Sequence, residues 1–203
     1  SSATEGHHAT VGVASGKGTY TGDFVKNMKH GEGTWKGRTE HGETYYEGEW
    51  QKNLRHGSGH WKNEVGDVYK GGFYKDKRNG QGKLNWKSGD AYDGEWQEDQ
   101  KHGEGVLKMA NGEGYQGGFR KNVRHGQGDW VSVHGERYAG GWDNDTFDGE
   151  GSWSTSDGEE YTGGWKKNLK HGFGKWKGED DDDTFAGSYF LKEMRGEAGP
   201  EDE

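Results

Sequence analysis

The sequence has no cysteine, no isoleucine and a single proline among its 203 residues. The missing thiols exclude disulfides and cysteine-based metal sites, and they leave the redox compartment open. Leu, Ile, Val and Phe together number only 21 residues, and no apolar run is long enough to cross a membrane as a helix. A conventional α/β domain packed from Leu and Val is therefore excluded. The chain starts at Ser1 without Met, so we expect a fragment or a processed form.

Glycine is the residue that the sequence has in abundance, at 41 positions, beside ten Trp, ten Tyr and seven Phe. Few aliphatic residues and a net charge of −9 are typical of disordered chains. Disordered chains are also poor in aromatic residues, and this chain is not. The aromatic content therefore indicates a folded protein whose core is not aliphatic.

The aromatic residues and the glycines recur in one frame of about 23 residues, which reads Tyr-x-Gly-x-Trp/Phe followed by His-Gly-x-Gly-x-Trp. The first copy occupies residues 20–35, and 21 of the 27 aromatic residues lie on the three aromatic positions of the frame. A period of this length is the mark of a repeat architecture. Later copies begin at Tyr46, Tyr69, Tyr92, Tyr115, Tyr138 and Tyr161, with an eroded copy at Phe185.

The spacing within the frame predicts β-hairpins. Aromatic residues and glycines are spaced by two and share one face of a strand, while mostly polar residues take the other. We predict an all-β fold, an elongated single-layer twisted sheet of tandem hairpins, with a turn at residues 27–30 of the first copy. Glycines act as sockets for the large rings. The predicted organisation is an N-terminal tail at 1–15, the repeat array at 16–198 with the copy at 185 as its cap, and an acidic tail at 199–203.

These motifs resemble the MORN repeat (membrane occupation and recognition nexus). The resemblance covers roughly residues 16–198 and implies a solenoid-like row of hairpins. Asn79 and Asp148 stand where other copies have His, and Leu84 and Leu107 replace Trp. The resemblance also implies a scaffold that holds partner segments, in a cytoskeletal, ciliary or cortical setting of a eukaryotic cell. Our best prediction for localisation is the cytoplasm, with cytoskeletal or membrane association.

Basic residues concentrate near the predicted turns. The six residues that end at each turn His, or its substitute, hold 14 Lys/Arg and six Asp/Glu over seven copies, so the rest of the chain carries −17. Charged turns can serve solubility alone, or this basic edge can bind an anionic partner, either an acidic protein segment or phosphoinositide headgroups. The candidate anion-binding residues are Lys52, Arg55, Lys75, Lys77, Arg78, Arg120, Lys121, Arg124, Lys166, Lys167 and Lys170.

A second candidate surface is the aromatic face, since Tyr and Trp are frequent anchors of interfaces. The rings and glycines can instead close on each other and leave no room for a partner. If the rows stay open, they form a groove for a helix or an extended peptide. The candidate groove residues are Tyr46, Trp50, Trp61, Tyr92, Trp96, Tyr115, Phe119, Trp130, Tyr138 and Trp142.

No arrangement of residues indicates catalysis or a bound cofactor. The histidines at 30, 56, 102, 125 and 171 recur too far apart to share a metal ion, so we predict a turn role for them. The acidic run at 179–183 is predicted to be a solvated connector.

We therefore predict a non-enzymatic scaffold that binds partner protein segments. The alternatives are a peripheral membrane tether that binds anionic phospholipids, and an accessory repeat domain of a larger enzyme. The net negative charge disfavours nucleic acid, and open sheet ends allow a homodimer.

Overall fold

A computed structural model describes residues 7–12, 18–178 and 184–192, with side chains described for 18–178 and 184–190. The described residues form β-strands and no helix. The chain divides into two compact units, Ser1–Lys101 (the N-terminal unit) and His102–Glu203 (the C-terminal unit). These observations confirm that the chain is all-β and built from tandem hairpins.

In the N-terminal unit each strand pairs antiparallel with the next one along the chain. The strands are β1 (His7–Gly12), β2 (Gly18–Val25), β3 (Met28–Thr39), β4 (Gly42–Gln51), β5 (Leu54–Lys62), β6 (Val68–Tyr74), β7 (Lys77–Asn85) and β8 (Ala91–Gln97). Residues 1–15 are predicted to be a tail, whereas in the structure β1 lies within this segment and pairs with β2.

The C-terminal unit follows the same antiparallel order from strand to strand. Its strands are β9 (Gln100–Lys108), β10 (Gly114–Arg120), β11 (Val123–Val131), β12 (Arg137–Asp143), β13 (Thr146–Ser154), β14 (Glu160–Lys166), β15 (Leu169–Lys177) and β16 (Thr184–Lys192). Strand β16 is the first strand of the eroded eighth copy. The predicted second strand of that copy and the tail at 199–203 lie outside the described residues.

The hairpin turns are shorter and earlier than predicted. Each consists of two residues with φ between 49° and 75°, as in Lys26–Asn27, and β3 already begins at Met28. The predicted turn at residues 27–30 is therefore wrong, because His30 and Gly31 lie inside β3. A two-residue turn with both φ values positive matches the right-handed twist of the strands, and Asn and Asp tolerate this conformation better than most residues.

The two glycines of the His-Gly-x-Gly motif have different structural roles. The first is represented by Gly57, with φ of 55°. It lies where the pairing of β4 and β5 shifts register, because β5 has two more residues than β4 between the pairs Gly48–Gly59 and Trp50–Arg55. The second, such as Gly59, is the socket: a Cβ there would lie within 2.7 Å of the Tyr46 ring. The prediction that both glycines are sockets is wrong for the first one, which is needed for its backbone conformation.

The core is aromatic, as predicted. The frame tyrosines from Tyr20 to Tyr161 are at most 3 % exposed. Each hydroxyl donates to a backbone carbonyl three residues on, as Tyr69 does to Gly72 at 3.0 Å. The neighbouring Trp or Phe packs edge-on, with the Tyr92 and Trp96 ring centroids 5.1 Å apart. Edge-to-face pairs of this kind contribute about 1 kcal/mol beyond the buried area.

Indole groups connect consecutive copies. The Nε1 of Trp50 donates to the carbonyl of Gly33 at 3.0 Å, and Trp142 does the same to Gly128. For the tryptophans on the first strand of a hairpin the acceptor is the socket glycine of the preceding copy. Each of these indoles therefore fills space in its own hairpin and satisfies a backbone carbonyl of its neighbour.

Candidate functional site

The second turn residue of one copy binds the second strand of the copy before it. Asp76 accepts hydrogen bonds at Oδ1 from the backbone N–H of Arg55 at 2.8 Å and from its Nε at 3.2 Å. The Arg55 Nη2 also donates to the Asp76 carbonyl at 2.7 Å, and the Asp76 N–H donates to the Arg55 carbonyl at 3.0 Å. We call this arrangement the turn staple. It recurs in the pairs Arg78–Asp99 and Arg124–Asp145.

The basic partner of the staple also covers aromatic rings. The guanidinium carbon of Arg78 lies 4.1 Å from the centroid of Trp96, and that of Arg124 lies 4.2 Å from Trp142. In copy six the same position of the frame holds Phe147, which stacks on Tyr138 at 3.8 Å and 15°. Since an uncharged ring replaces the cation there, the position is primarily a packing position.

The structure therefore divides the predicted basic edge into two groups. Arg55, Arg78 and Arg124 are engaged in staples, and Lys77, Arg120 and Lys166 pair with Glu98, Asp143 and Asp148 at 3.4, 3.9 and 2.9 Å. Apart from Lys170, the remaining basic residues occupy the exposed first position of a turn and make no ion pair within the part of the chain that the structure describes. They are Lys52, Lys75, Lys121 and Lys167.

The staple predicts the effect of changing Asp99. Asp99→Ala removes two hydrogen bonds to Arg78 and places alanine at φ of 68°, so we expect a loss of about 2–3 kcal/mol in the free energy of unfolding. Asp99→Asn should lose less than about 1 kcal/mol, because Asn168 makes the same backbone bond to Phe147 at 2.8 Å. Urea denaturation followed by Trp fluorescence measures both. Equal losses in the alanine and asparagine variants would contradict the prediction that the staple needs an acceptor oxygen at this position and not a negative charge.

Lys170 differs from the rest of the basic edge because it is buried, at 2 % exposure. Its Nζ lies 5.1 Å from the Tyr161 centroid, 5.9 Å from Trp153 and 6.0 Å from Tyr189. Burial lowers the pKa of Lys170 below its usual 10.5, while nearby Glu159 acts in the opposite direction. The sequence-predicted anion site therefore has one member that an external ligand does not reach.

This burial predicts a pH-dependent effect of Lys170→Met. The unfolded chain holds the proton more tightly, so the wild-type chain gains stability as pH rises from the lowered pKa towards 10.5. We expect the variant to be more stable by about 1 kcal/mol at neutral pH, with the difference shrinking towards pH 10.5. The exposed Lys175→Met is the control. Urea titrations across the pH range test this, and a difference that grows with pH would contradict it.

Most predicted groove residues are buried in the aromatic core. Eight of the ten are between 0 and 7 % exposed, namely Tyr46, Trp50, Tyr92, Trp96, Tyr115, Phe119, Tyr138 and Trp142. Trp61 and Trp130 are the two that remain partly exposed. Trp130 donates from Nε1 to Glu113 at 2.9 Å.

The aromatic face of the N-terminal unit contains a cavity of about 480 Å³. It brings Trp61, from the predicted groove, together with Arg55 and Arg78, from the predicted basic edge. The remaining lining residues are Asp67, Phe73, Leu84, Trp86 and Asp99. One surface therefore combines apolar side chains with two guanidinium groups. Asp76 and Asp99 each use only the Nε–H and one Nη2–H of their arginine, so further N–H donors remain on both guanidinium groups.

Leu84 and Trp86 line this surface although neither was among the residues predicted for a site. Leu84 stands where most other copies have Trp, and it lines the cavity together with Trp61. Trp86 is the one tryptophan outside the repeat frame, and it occurs two residues after that substitution. This coincidence is the signal that could have located the cavity.

The histidines of the repeat frame do not form a metal site within the described residues. The frame histidines lie in strands and not in turns. His125 Nδ1 is 3.1 Å from Asp143 Oδ1, whereas His56 Nδ1 and His171 Nδ1 are buried without a hydrogen-bond partner among the described residues. No group of three or more His, Asp or Glu among the described residues is placed to hold a metal ion. The acidic run at 179–183 lies outside the described residues. In the described part of the chain, no helix has the length and apolar character needed to span a membrane.

A family model for the MORN repeat matches residues 20–39, 46–68, 69–91, 92–114, 115–133, 138–160 and 161–182. These segments make up well over half of the sequence. The chain belongs to the MORN-repeat family. Each matched segment begins at a frame tyrosine, so the resemblance inferred from the motifs is confirmed.

No curated protein matches the sequence of the MORN chain. Among solved structures it is similar to the TCP domain of SAS-4 (dCPAP) of Drosophila melanogaster, which was solved in complex with a proline-rich motif of Ana2 (dSTIL). The similarity covers 90 % of each chain with 12 % identity and a TM-score of 0.40. A likeness of this size says nothing of what the MORN chain binds.

Proposed function

We propose that this MORN chain is a non-enzymatic scaffold that holds segments of partner proteins, and that the cavity around Leu84 is a docking point. The observation that carries the proposal is this cavity, about 480 Å³ in volume, in which apolar rings border the guanidinium groups of Arg55 and Arg78. Mixed apolar and arginine surfaces of this kind are typical of the centres of protein interfaces.

The chemistry of the lining favours a protein segment with an apolar anchor. The partly exposed Trp61 and Trp86 offer apolar contact for one inserted side chain, beside the buried Leu84. Asp67 and Asp99 balance the two arginines, so the cavity has no excess of either charge. The partner is therefore expected to contribute apolar contact in the cavity, with polar contacts at its rim.

A substitution that fills the cavity tests the proposal by enlarging one side chain of its lining. Leu84→Trp introduces the residue that most copies already have at this position of the frame, so the hairpin should tolerate it. Leu107→Trp makes the same change in the C-terminal unit and is the matched control. Crosslinking mass spectrometry in native extract identifies partners, and each is then purified and titrated against both variants.

We expect Leu84→Trp to weaken binding of the direct partner by at least about tenfold and Leu107→Trp to leave it within about twofold. If both variants bind as tightly as the wild-type chain, the cavity is not the docking point. If no purified protein binds, the scaffold proposal itself fails.

A membrane tether is a second candidate, and one observation favours it. Lys52 and Lys75 in the N-terminal unit, and Lys121 and Lys167 in the C-terminal unit, are exposed at the turns without ion pairs in the described part of the chain. Each basic residue near an anionic bilayer contributes about 1 kcal/mol. Flotation with phosphoinositide vesicles should then fall after Lys121→Glu and Lys167→Glu and with added salt. Absence of flotation by the wild-type chain would remove this candidate.

A further inference from the structure

The cavity around Leu84 offers hydrogen-bond donors that the protein itself does not use. Among the described residues, the guanidinium of Arg55 donates only through Nε and Nη2, to Asp76, and that of Arg78 does the same to Asp99. A guanidinium carries five N–H groups, so further N–H groups remain on both arginines. The Arg55 and Arg78 side chains are 25 % and 22 % exposed, so these groups are open to a ligand.

The two tryptophans that line the cavity add donors of the same kind. Trp61 and Trp86 are partly exposed, and their Nε1–H groups donate to no residue that the structure describes. The indoles of Trp50 and Trp96 differ, because theirs donate to glycine carbonyls. Unlike the Nε1 of Trp153, those of Trp61 and Trp86 are also not buried. Each of these two rings therefore brings an apolar surface and one free N–H to the cavity.

Both carboxylates of the lining already accept two hydrogen bonds each from the protein. Asp67 accepts at Oδ1 from the backbone N–H of Lys87 at 3.0 Å and at Oδ2 from Nδ2 of Asn63 at 2.9 Å. Asp99 accepts at Oδ1 from the backbone N–H and from Nε of Arg78, each at 3.0 Å. These carboxylates also balance the two guanidinium charges of the lining. The cavity is therefore matched best by an occupant that brings acceptors and apolar surface and no additional charge.

We propose that the cavity binds a proline-rich segment of a partner protein in the polyproline II conformation. Proline has no N–H, so its backbone offers only acceptors, which match the free donors of the two arginines and the two indoles. A polyproline II helix has no internal hydrogen bonds, so its carbonyls are available, and its stiffness lowers the cost of ordering on binding. The pyrrolidine rings supply the apolar contact for Trp61 and Trp86. This occupant is a more specific form of the scaffold function proposed above, on which it rests.

Other kinds of segment complement this lining less well. An extended segment without proline brings one N–H per residue to a surface whose carboxylates are already engaged, and a buried N–H without an acceptor costs free energy. An α-helix uses its carbonyls internally, so it leaves the donors of the cavity unpaired. An acidic segment meets the guanidinium groups but is repelled by Asp67 and Asp99. The proline-rich segment is the one that satisfies the free donors without adding either unpaired donors or charge.

Trp86→Ala tests the site outside the aromatic core, because Trp86 is partly exposed and lies outside the repeat frame. Met109 has the same position in the next connector. Its N–H donates to the Glu113 carbonyl at 2.8 Å, as that of Trp86 does to the Asp90 carbonyl at 2.9 Å. Met109 is exposed and does not line the cavity. Met109→Ala is therefore the matched control, since it removes an apolar side chain from an equivalent turn.

Three neutral synthetic peptides test the proposal on the full chain. The first has proline at every third position, because residues three apart lie on the same side of a polyproline II helix. The second has N-methylalanine in place of each proline, which also lacks the N–H, and the third has alanine, which restores it. Fluorescence anisotropy gives the dissociation constant of each peptide for the wild-type chain and for Trp86→Ala, Met109→Ala and Leu84→Trp.

We expect the proline peptide to bind the wild-type chain at least about tenfold more tightly than the alanine peptide, with the N-methylalanine peptide between them. Trp86→Ala and Leu84→Trp should each weaken the proline peptide by at least about tenfold, and Met109→Ala by less than about twofold.

Equal binding of the N-methylalanine and alanine peptides, or equal effects of Trp86→Ala and Met109→Ala, would overturn the proposal. So would the absence of any binding by the proline peptide. If the proline peptide fails while Leu84→Trp still weakens a partner purified from native extract, the docking point stands and its proline-rich occupant is wrong. Failure of this inference is therefore distinguishable from failure of the proposed scaffold.

Discussion

Replacing Gly128 with alanine should destabilise the chain by about 3 kcal/mol. A Cβ at this position would lie about 2.5 Å from Cε2 and Cζ of Tyr115, well inside van der Waals contact. The ring has little freedom to move, because Tyr115 is 3 % exposed and its hydroxyl donates to the Gly118 carbonyl at 2.9 Å. Urea denaturation, followed by Trp fluorescence and by circular dichroism, measures the loss.

Gly114→Ala is the control for this prediction, since Gly114 lies on β10, the strand paired with β11. The nearest atom to a Cβ at Gly114 is Val131 Cγ1 at 3.4 Å, which is an ordinary contact. This variant should change stability by less than about 0.5 kcal/mol. A similar loss in both variants would show that alanine is disfavoured for its conformation or strand propensity and not for its collision with the tyrosine.

Replacing Trp96 with alanine should have the largest effect, a loss of about 3–5 kcal/mol. The indole is 4 % exposed, packs edge-on against Tyr92 and Tyr69, and lies under the guanidinium of Arg78. Its Nε1 also satisfies the carbonyl of Gly82 at 2.9 Å. Truncation therefore leaves a cavity and an unpaired backbone carbonyl at the same place, and denaturant titration should report both as one loss of stability.

Trp96→Phe separates these two contributions. Phe73 and Phe119 occupy the same position of the frame in other copies, so the ring is accommodated, while the hydrogen bond to Gly82 is lost. We expect a loss of about 1–2 kcal/mol. If the alanine and phenylalanine variants were equally unstable, the hydrogen bond and not ring packing would dominate. Amide hydrogen exchange of β6 to β8 provides an independent reading.

The frame of the fold could be predicted from sequence because it depends on spacing alone. Residues spaced by two share a strand face, so the aromatic rows and the polar face followed directly from the positions of residues such as Tyr46 and Trp50. The turns were placed wrongly because Lys26–Asn27 lacks the Asn-Gly or Asp-Gly signal of such turns. The His-Gly step that follows marks a change of register and not the turn.

The candidate sites were harder to predict because formal charge and strand parity do not reveal contacts. Counting charges placed Arg55, Arg78 and Lys170 on one basic edge, whereas the first two pair with turn aspartates and the third is buried. The alternation of residues along the strand placed Tyr138 on one face of the sheet but did not predict its exposure. The exposure depends on the side chain that covers the ring, which here is Phe147. The presence of Phe147 at the arginine position was the available sign that this position packs against rings.

The turn staple has a consequence for how the length of such a chain can vary between genes. Every junction of this kind uses one acceptor from the later copy and one backbone N–H from the earlier copy, and either Asn or Asp supplies the acceptor, as Asn53 and Asp76 do. In-frame duplication or deletion of about 23 codons therefore again pairs the acceptor of a later copy with the backbone N–H of an earlier copy, and it creates no new kind of contact. Gain and loss of whole copies should be tolerated far better than insertions that shift the frame by a few residues.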